Sequence, residues 1–311
     1  MIVAFNSKMV YNAEKAMGVT DMLTKEQFHD LLHNGPLILD GATGSNLRNA
    51  GMPKGCCTEQ WILENPEPLV RLQRAYAAAG SNIIYAPTFQ AQPIALKTAG
   101  LDRQTEAINE ALVALSRSAA PGCLIAGDLT TLTSFCDSWN PDNFDLLVEN
   151  YRRQIRGLID GGADLLVGET LLYPQEAEAI LCAAELEGAG AAMYTFTMQG
   201  DGSLFSGADA VKVLKGLEEA GAAAVGFNCV AADMMTPYLV SKLRRNVKGA
   251  LICKPNAGVP VIGSDGIPCY KQTPEEFAAI VKDCRENGAA ILGGCCGTAP
   301  DYIAAVKNAL K

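Results

Sequence analysis

The run Gly293-Gly294-Cys295-Cys296-Gly297-Thr298 sets two adjacent thiols directly behind the apolar stretch Ala289-Ala290-Ile291-Leu292. A third thiol, Cys229, ends another such stretch, Ala222-Ala223-Ala224-Val225-Gly226-Phe227-Asn228-Cys229. If both stretches are barrel strands, the three sulfurs meet at the same strand ends. Three thiolates can hold Zn²⁺ and leave its fourth position open, which is the catalytic rather than the structural arrangement. A disulfide between Cys295 and Cys296 is the rival reading, and it needs a strained small ring. The only two histidines, His29 and His33, precede the first strand, where they read as a solvated helix face. A Ser-His or Cys-His nucleophile pair near the later strands is thereby disfavoured.

Two acids end apolar runs as well, Asp40 after Leu37-Ile38-Leu39 and Glu169 after Leu165-Leu166-Val167-Gly168. They suit acid–base work, or they could hold the ammonium group of an amino-acid substrate. A carboxylate at the end of a buried strand is costly without a partner, which weighs against a bland role for Glu169. The segment Gly41-Ala42-Thr43-Gly44-Ser45 reads as a turn whose backbone N–H groups could receive a carboxylate. Lys254 could form a Schiff base as in barrel aldolases, or sit solvated or ion-paired. Cys123, Cys136, Cys182, Cys253, Cys269 and Cys284 read as small buried hydrophobes.

These residues need elements to carry them. Eight apolar runs read as strands: 37–40, 82–88, 123–128, 165–169, 191–197, 222–229, 250–256 and 289–294. Each gap is long enough for a helix, and a motif of helix, glycine, then apolar strand recurs, as in Gly161-Gly162-Ala163-Asp164-Leu165. Glycine takes the left-handed position that ends a helix, and a buried parallel strand follows as an unbroken apolar run. The expected fold is α/β, a single (β/α)₈ barrel over residues 25–311 with a short N-terminal extension, residues 1–24. No strand is followed by the Gly-x-Gly-x-x-Gly fingerprint, which disfavours a doubly wound dinucleotide fold. Read in order, the strand ends carry Asp40, Thr88, Asp128, Glu169, Thr197, Asn228 with Cys229, Asn256, and Cys295 with Cys296. A packed barrel needs no such polar set for stability, and catalytic groups of such barrels lie at those ends.

Composition narrows the partners. A formal charge of −9 argues against nucleic acid or an anionic membrane surface. No stretch approaches the ~20 apolar residues of a membrane helix. The first residues lack the form of a secretory signal. Eleven cysteines, an odd count with two vicinal pairs, suit free thiols and metal ligands in a reducing compartment. The expected location is the cytoplasm.

Four ordered motifs carry a resemblance: Asp40-Gly41-Ala42-Thr43-Gly44-Ser45, Gly226-Phe227-Asn228-Cys229, Pro255-Asn256-Ala257-Gly258 and Gly293-Gly294-Cys295-Cys296-Gly297-Thr298. Together they resemble the homocysteine S-methyltransferase family, from about residue 25 to the end. With Glu64-Asn65-Pro66-Glu67 and Pro87-Thr88-Phe89-Gln90-Ala91, they are most similar to the homocysteine domain of cobalamin-dependent methionine synthase. The resemblance implies a zinc-bearing barrel with Cys229, Cys295 and Cys296 as ligands, and Asn256 completing the metal shell when substrate is absent. It implies that Asp40 and Glu169 hold the homocysteine amino group, with the Gly41–Ser45 turn near its carboxylate. Asn228 and Asn256 are counted with Gly41, Thr43, Gly44 and Ser45 among the expected substrate contacts. Ser45, where relatives often carry Thr, and the continuation Val230-Ala231-Ala232-Asp233 depart from the pattern.

The implied reaction makes methionine. A metal-held homocysteine thiolate attacks a methyl carbon, and zinc does the deprotonation that a histidine would otherwise do. The chain ends soon after the eighth strand and helix, so no cobalamin-binding domain is expected on it. The donor is then methylcobalamin on a separate corrinoid protein, or a small molecule of the S-methylmethionine or betaine type. A Schiff-base aldolase using Lys254 and a non-catalytic zinc-binding subunit are the readings of other classes.

Overall fold

The computed structural model describes residues 22–199, 201–233, 235–263 and 268–311. Its strands are β1 (Leu37–Ile38), β2 (Ile83–Tyr85), β3 (Leu124–Thr130), β4 (Leu165–Leu171), β5 (Ala192–Phe196), β6 (Ala224–Ala231), β7 (Ala250–Asn256) and β8 (Ile291–Leu292). All pair in parallel, in the order β1-β8-β7-β6-β5-β4-β3-β2. A parallel bridge between Leu39 and Ile83 joins the two outer strands and closes the (β/α)₈ barrel. A small antiparallel hairpin, Val261–Ile262 with Pro268–Cys269, follows β7.

Each expected apolar run overlaps one of these strands, with altered bounds. β1, β2 and β8 are shorter than the runs because the chain leaves the ladder early to build loops. Thr88, expected inside a strand, turns instead to bond the backbone of Asp128 through its hydroxyl, donating to its carbonyl at 2.9 Å. β4 and β6 run on past Glu169 and Cys229 and carry register shifts there.

Helices wrap the sheet: Pro66–Ala79, Thr105–Ala119, Phe144–Asp160, Pro174–Leu186, Ala210–Glu219, Thr236–Arg244, Pro274–Glu286 and Pro300–Ala309. Proline opens four of them, where its fixed φ suits the first turn and its missing N–H is no loss. Alternation along the strands sorts the core. Leu165, Val167, Ala126, Met193, Ala224, Ala250, Ile252 and Ile291 pack together inside the barrel. Leu166, Val225, Phe227, Leu251 and Leu292 face the helices.

The barrel base is plugged. Helix Lys25–Leu32, capped by Thr24, inserts Phe28 fully buried among the inner residues. Leu23 N–H donates to the Asp164 carbonyl, and the Leu23 carbonyl accepts from Ala191 N–H. Residues 22–24 are thus built into the base, while residues 1–21 of the expected extension lie outside the described residues. His29 is not merely solvated, since its Nε2 lies 2.7 Å from the Ala223 carbonyl oxygen. His33 is exposed.

Candidate metal and substrate site

At the open end of the barrel, Cys229, Cys295 and Cys296 come together with their Sγ atoms within 4.8 Å of one another. Cys229 Sγ and Cys296 Sγ stand 3.9 Å apart. Tetrahedral Zn–S bonds of about 2.3 Å would hold sulfurs about 3.8 Å apart, so little movement separates this trio from a coordination sphere. None of the cysteines is in a disulfide. The donor set and spacing fit a thiophilic divalent metal such as zinc.

How Cys229 reaches the trio is a matter of backbone. On β6, Val225 and Phe227 face the helices, and strict alternation would send Cys229 the same way. Instead Cys229 takes φ 57°, and the pairing with β7 slips between Asn228 and Ala231. Such a bulge re-aims a side chain. Thr170 on β4 also has a positive φ, 58°. Asn228 ties the two irregular strands: its Oδ1 accepts from Thr170 N–H at 3.0 Å, and its Nδ2 donates to Thr170 Oγ1 at 2.6 Å. The same amide nitrogen lies 3.8 Å from Cys295 Sγ. Asn228 thus buttresses the thiols and is fully buried.

The vicinal pair is fixed by continuing the sheet beyond β8. Gly293 N–H donates to the Cys253 carbonyl, Gly294 to Asp40, and Cys295 to Pro255, while the Cys296 carbonyl accepts from Ala257 N–H. Asn256 Oδ1 accepts from Cys296 N–H at 3.0 Å, which sets its side chain beside the trio. Thr298 Oγ1 accepts from Ala42 N–H and donates to the Cys295 carbonyl. This links the thiol loop to the turn after β1. Gly41 is required there, because a Cβ would stand 2.6 Å from the Tyr76 hydroxyl and 2.8 Å from Thr298 Oγ1. Thr43, Gly44 and Ser45 lead into the short helix Gly44–Asn49.

A cavity of about 360 Å³ opens beside the trio, lined by Asp40, the 41–45 turn, Arg48, Glu59, Tyr85, Asp128, Glu169, Lys254 and the three cysteines, among others. That volume suits an amino acid. Lys254 sits in its wall, its side chain only 4% exposed, with Nζ 3.0 Å from Glu169 Oε1 and 3.8 Å from Asp40 Oδ1. The same ammonium stands 4.8 Å from the centre of the Tyr85 ring. Asp40 Oδ2 accepts from Tyr85 N–H at 2.9 Å.

Electrostatics follow from burial against charge. Burial pushes the Asp40 carboxyl up to about 7, with Lys254 pulling against it. Burial likewise raises Glu169, again opposed by Lys254. Asp128 rises well above the carboxylate range through burial and then the charge of Glu169. For Lys254 burial acts downward, yet Glu169, Cys295 and Asp40 outweigh it and hold the amine well above its ordinary value. A Schiff-base lysine needs a lowered pKa and a free lone pair. Lys254 has neither, so the aldolase reading has no structural basis. Among the thiols, donation from Cys229 and then Cys295 pulls Cys296 far down, while Cys229, as donor, is held up.

The acids, the turn and the thiols named from sequence thus share one cavity, with Asn228 and Asn256 packed against its thiol side. The remaining cysteines are elsewhere. Cys123, Cys253 and Cys284 are buried as expected, Cys136 and Cys182 are partly so, and Cys269 is exposed on the hairpin. Sequence reasoning noticed Asp128 only as a strand-end residue and saw Lys254 without its partners. The signal available was that each sets a charge in an otherwise apolar run.

Comparison with known proteins agrees with this geometry. The homocysteine methyltransferase MmuM from Escherichia coli in its metallated form is 26% identical over 90% of this chain and 99% of that one, with a TM-score of 0.77. Its oxidized form is 25% identical over 88% of this chain and 95% of that one, with a TM-score of 0.75. A methyltransferase from Methanosarcina mazei is 13% identical, covering 92% of this chain and 98% of that one at a TM-score of 0.60, which is a likeness of fold. The family model for homocysteine S-methyltransferase matches residues 37–310, nearly the whole barrel, and the chain belongs to that family of enzymes.

Proposed function

We propose that this protein methylates the thiol of homocysteine to give methionine, with zinc held by Cys229, Cys295 and Cys296. The observation that carries the reading is the thiol trio beside an amino-acid-sized cavity with an acidic floor. Bound there, zinc would supply Lewis acidity that strips the substrate thiol of its proton at neutral pH. Asn256, already on Cys296 N–H, would complete the metal shell before substrate arrives.

The chain's own residues do the positioning. Asp40 and the Glu169–Lys254 pair form the floor that receives the substrate's ammonium group, and the 41–45 turn faces its carboxylate. Holding both ends of the amino acid fixes where its sulfur points, which is a contribution of orientation. The sulfur then forms its bond to the methyl carbon as the bond from that carbon to the donor breaks, the electron pair leaving with the donor. No histidine is needed, because no further proton moves in that step.

For the donor we favour methylcobalamin on a separate corrinoid protein, supported by the likeness of the 255–258 and 293–298 motifs to the methionine synthase module. A chain with eleven cysteines and no disulfide suits the reducing cytoplasm. Among the described residues no helix is long and apolar enough to cross a membrane. The test is methionine formation from L-homocysteine with a methylated corrinoid protein, S-methylmethionine or betaine, with and without added zinc. Zinc-dependent methionine with the corrinoid donor is expected. Methionine only from a small donor would overturn the donor assignment, and none from any would overturn the reading.

A further inference from the structure

Asp40, Asp128 and Glu169 share one part of the cavity wall with the Lys254 ammonium. Lys254 Nζ is committed to Glu169 Oε1 at 3.0 Å, leaving Asp40 Oδ1 at 3.8 Å. Asp40 Oδ1 and Asp128 Oδ1 accept no hydrogen bond from any described residue. Both acids line the cavity, and they are only 1% and 4% exposed. The Asp128 main chain is clamped from behind: its N–H donates to Thr88 Oγ1, and its carbonyl accepts from Thr88 and Gln154. These bonds hold the strand end in place and leave the carboxyl group to the cavity.

A buried carboxyl oxygen without a donor costs free energy, and a proton or a ligand cation must relieve it. A substrate ammonium brings three N–H donors and one positive charge. With Lys254 Nζ already on Glu169 Oε1, the two oxygens that accept no hydrogen bond offer that ammonium its open acceptors beside the Glu169–Lys254 pair. We propose that Asp128 is a further substrate-binding residue, receiving the ammonium group together with Asp40 beside the Glu169–Lys254 pair. This rests on the reading of the substrate as an amino-acid thiol. It makes Asp128, with Asp40, a source of preference for an amine-bearing thiol over the same thiol without the amine.

The experiment is calorimetric titration of the zinc-loaded protein with L-homocysteine and with 4-mercaptobutanoate, which keeps the thiol and carboxylate and lacks the amine. The wild type binds homocysteine more tightly by ~10–100-fold, the worth of hydrogen bonds to a charged group. Asp128→Asn, close in shape, loses most of that advantage while its affinity for 4-mercaptobutanoate and its zinc content stay unchanged. Equal affinity of the wild type for the two ligands overturns the inference. So does an Asp128→Asn protein that discriminates like the wild type, or one that weakens for both ligands alike. Failure of the functional reading looks different: homocysteine binds with the amine preference, yet no donor yields methionine.

Discussion

On β4, Val167 and Glu169 project into the same barrel two residues apart, yet one meets only apolar neighbours and the other a lysine. The same step separates Ala126 from Asp128 on β3 and Ile252 from Lys254 on β7. Below this level the barrel is filled with aliphatic side chains and sealed by Phe28. The next inward position on each of these three strands is charged, Asp128, Glu169 and Lys254. The lower layer holds the strands in register by packing. The upper layer contributes cost: carboxyl groups raised by burial and a lysine that cannot neutralise all of them. Fold and site thus divide one interior at a sharp level, and each strand serves both.

Four measurements would break or sharpen that division. The largest effect is expected in the upper layer's chemistry: Cys295→Ala loses bound zinc and, with it, activity by about three orders of magnitude or more. Metal analysis alongside turnover checks this, and stoichiometric zinc in the variant would contradict the ligand assignment. Next, Val167→Asp places in the lower layer the kind of group tolerated two residues higher. With no cation there, it should destabilise by roughly 3–5 kcal/mol, as a buried charge without a partner does. Denaturant unfolding would show it, and a near-neutral result would mean that the layers are not distinct.

Third, Glu169→Ala should mainly raise the Michaelis constant for homocysteine, by ~10–100-fold, with zinc retained. Unchanged homocysteine kinetics would remove Glu169 from the floor. The smallest effect is a pH slope. Asp40 is raised from 3.8 to about 7 in the fold, so between those values the native state binds more protons than the unfolded state. Its stabilising contribution is full below about 4 and is lost as pH rises through about 7. The metal-free protein should lose thermal stability over that window, and Asp40→Asn should flatten the slope.

Much of this was legible in the chain. Buried parallel strands announce themselves as unbroken apolar runs, so all eight were found, and the thiols stood at the ends of two of them. The ladder's limits at β1, β2 and β8 were not, because the loss of pairing there depends on where loops go. Lys254 was read without its partner because Glu169 lies 85 residues away on another strand. Asp128 was seen at a strand end and given no task, since nothing local says that its carboxyl oxygen lacks a donor. The bulge at Cys229 was invisible too. Alternation alone turns that thiol toward the helices, and only a backbone torsion brings it back.

That torsion has a consequence for the protein's tolerance to change. A residue with a Cβ in the left-handed region costs about 1–2 kcal/mol, and glycine would sit there without strain. At position 229, the substitution that most relaxes the metal-free chain is also the one that deletes a sulfur. On the metal-ligand role proposed for Cys229, thermal robustness and catalytic capacity are set against each other at a single residue. Screening variants of the apoprotein by melting temperature alone would favour molecules that can no longer work.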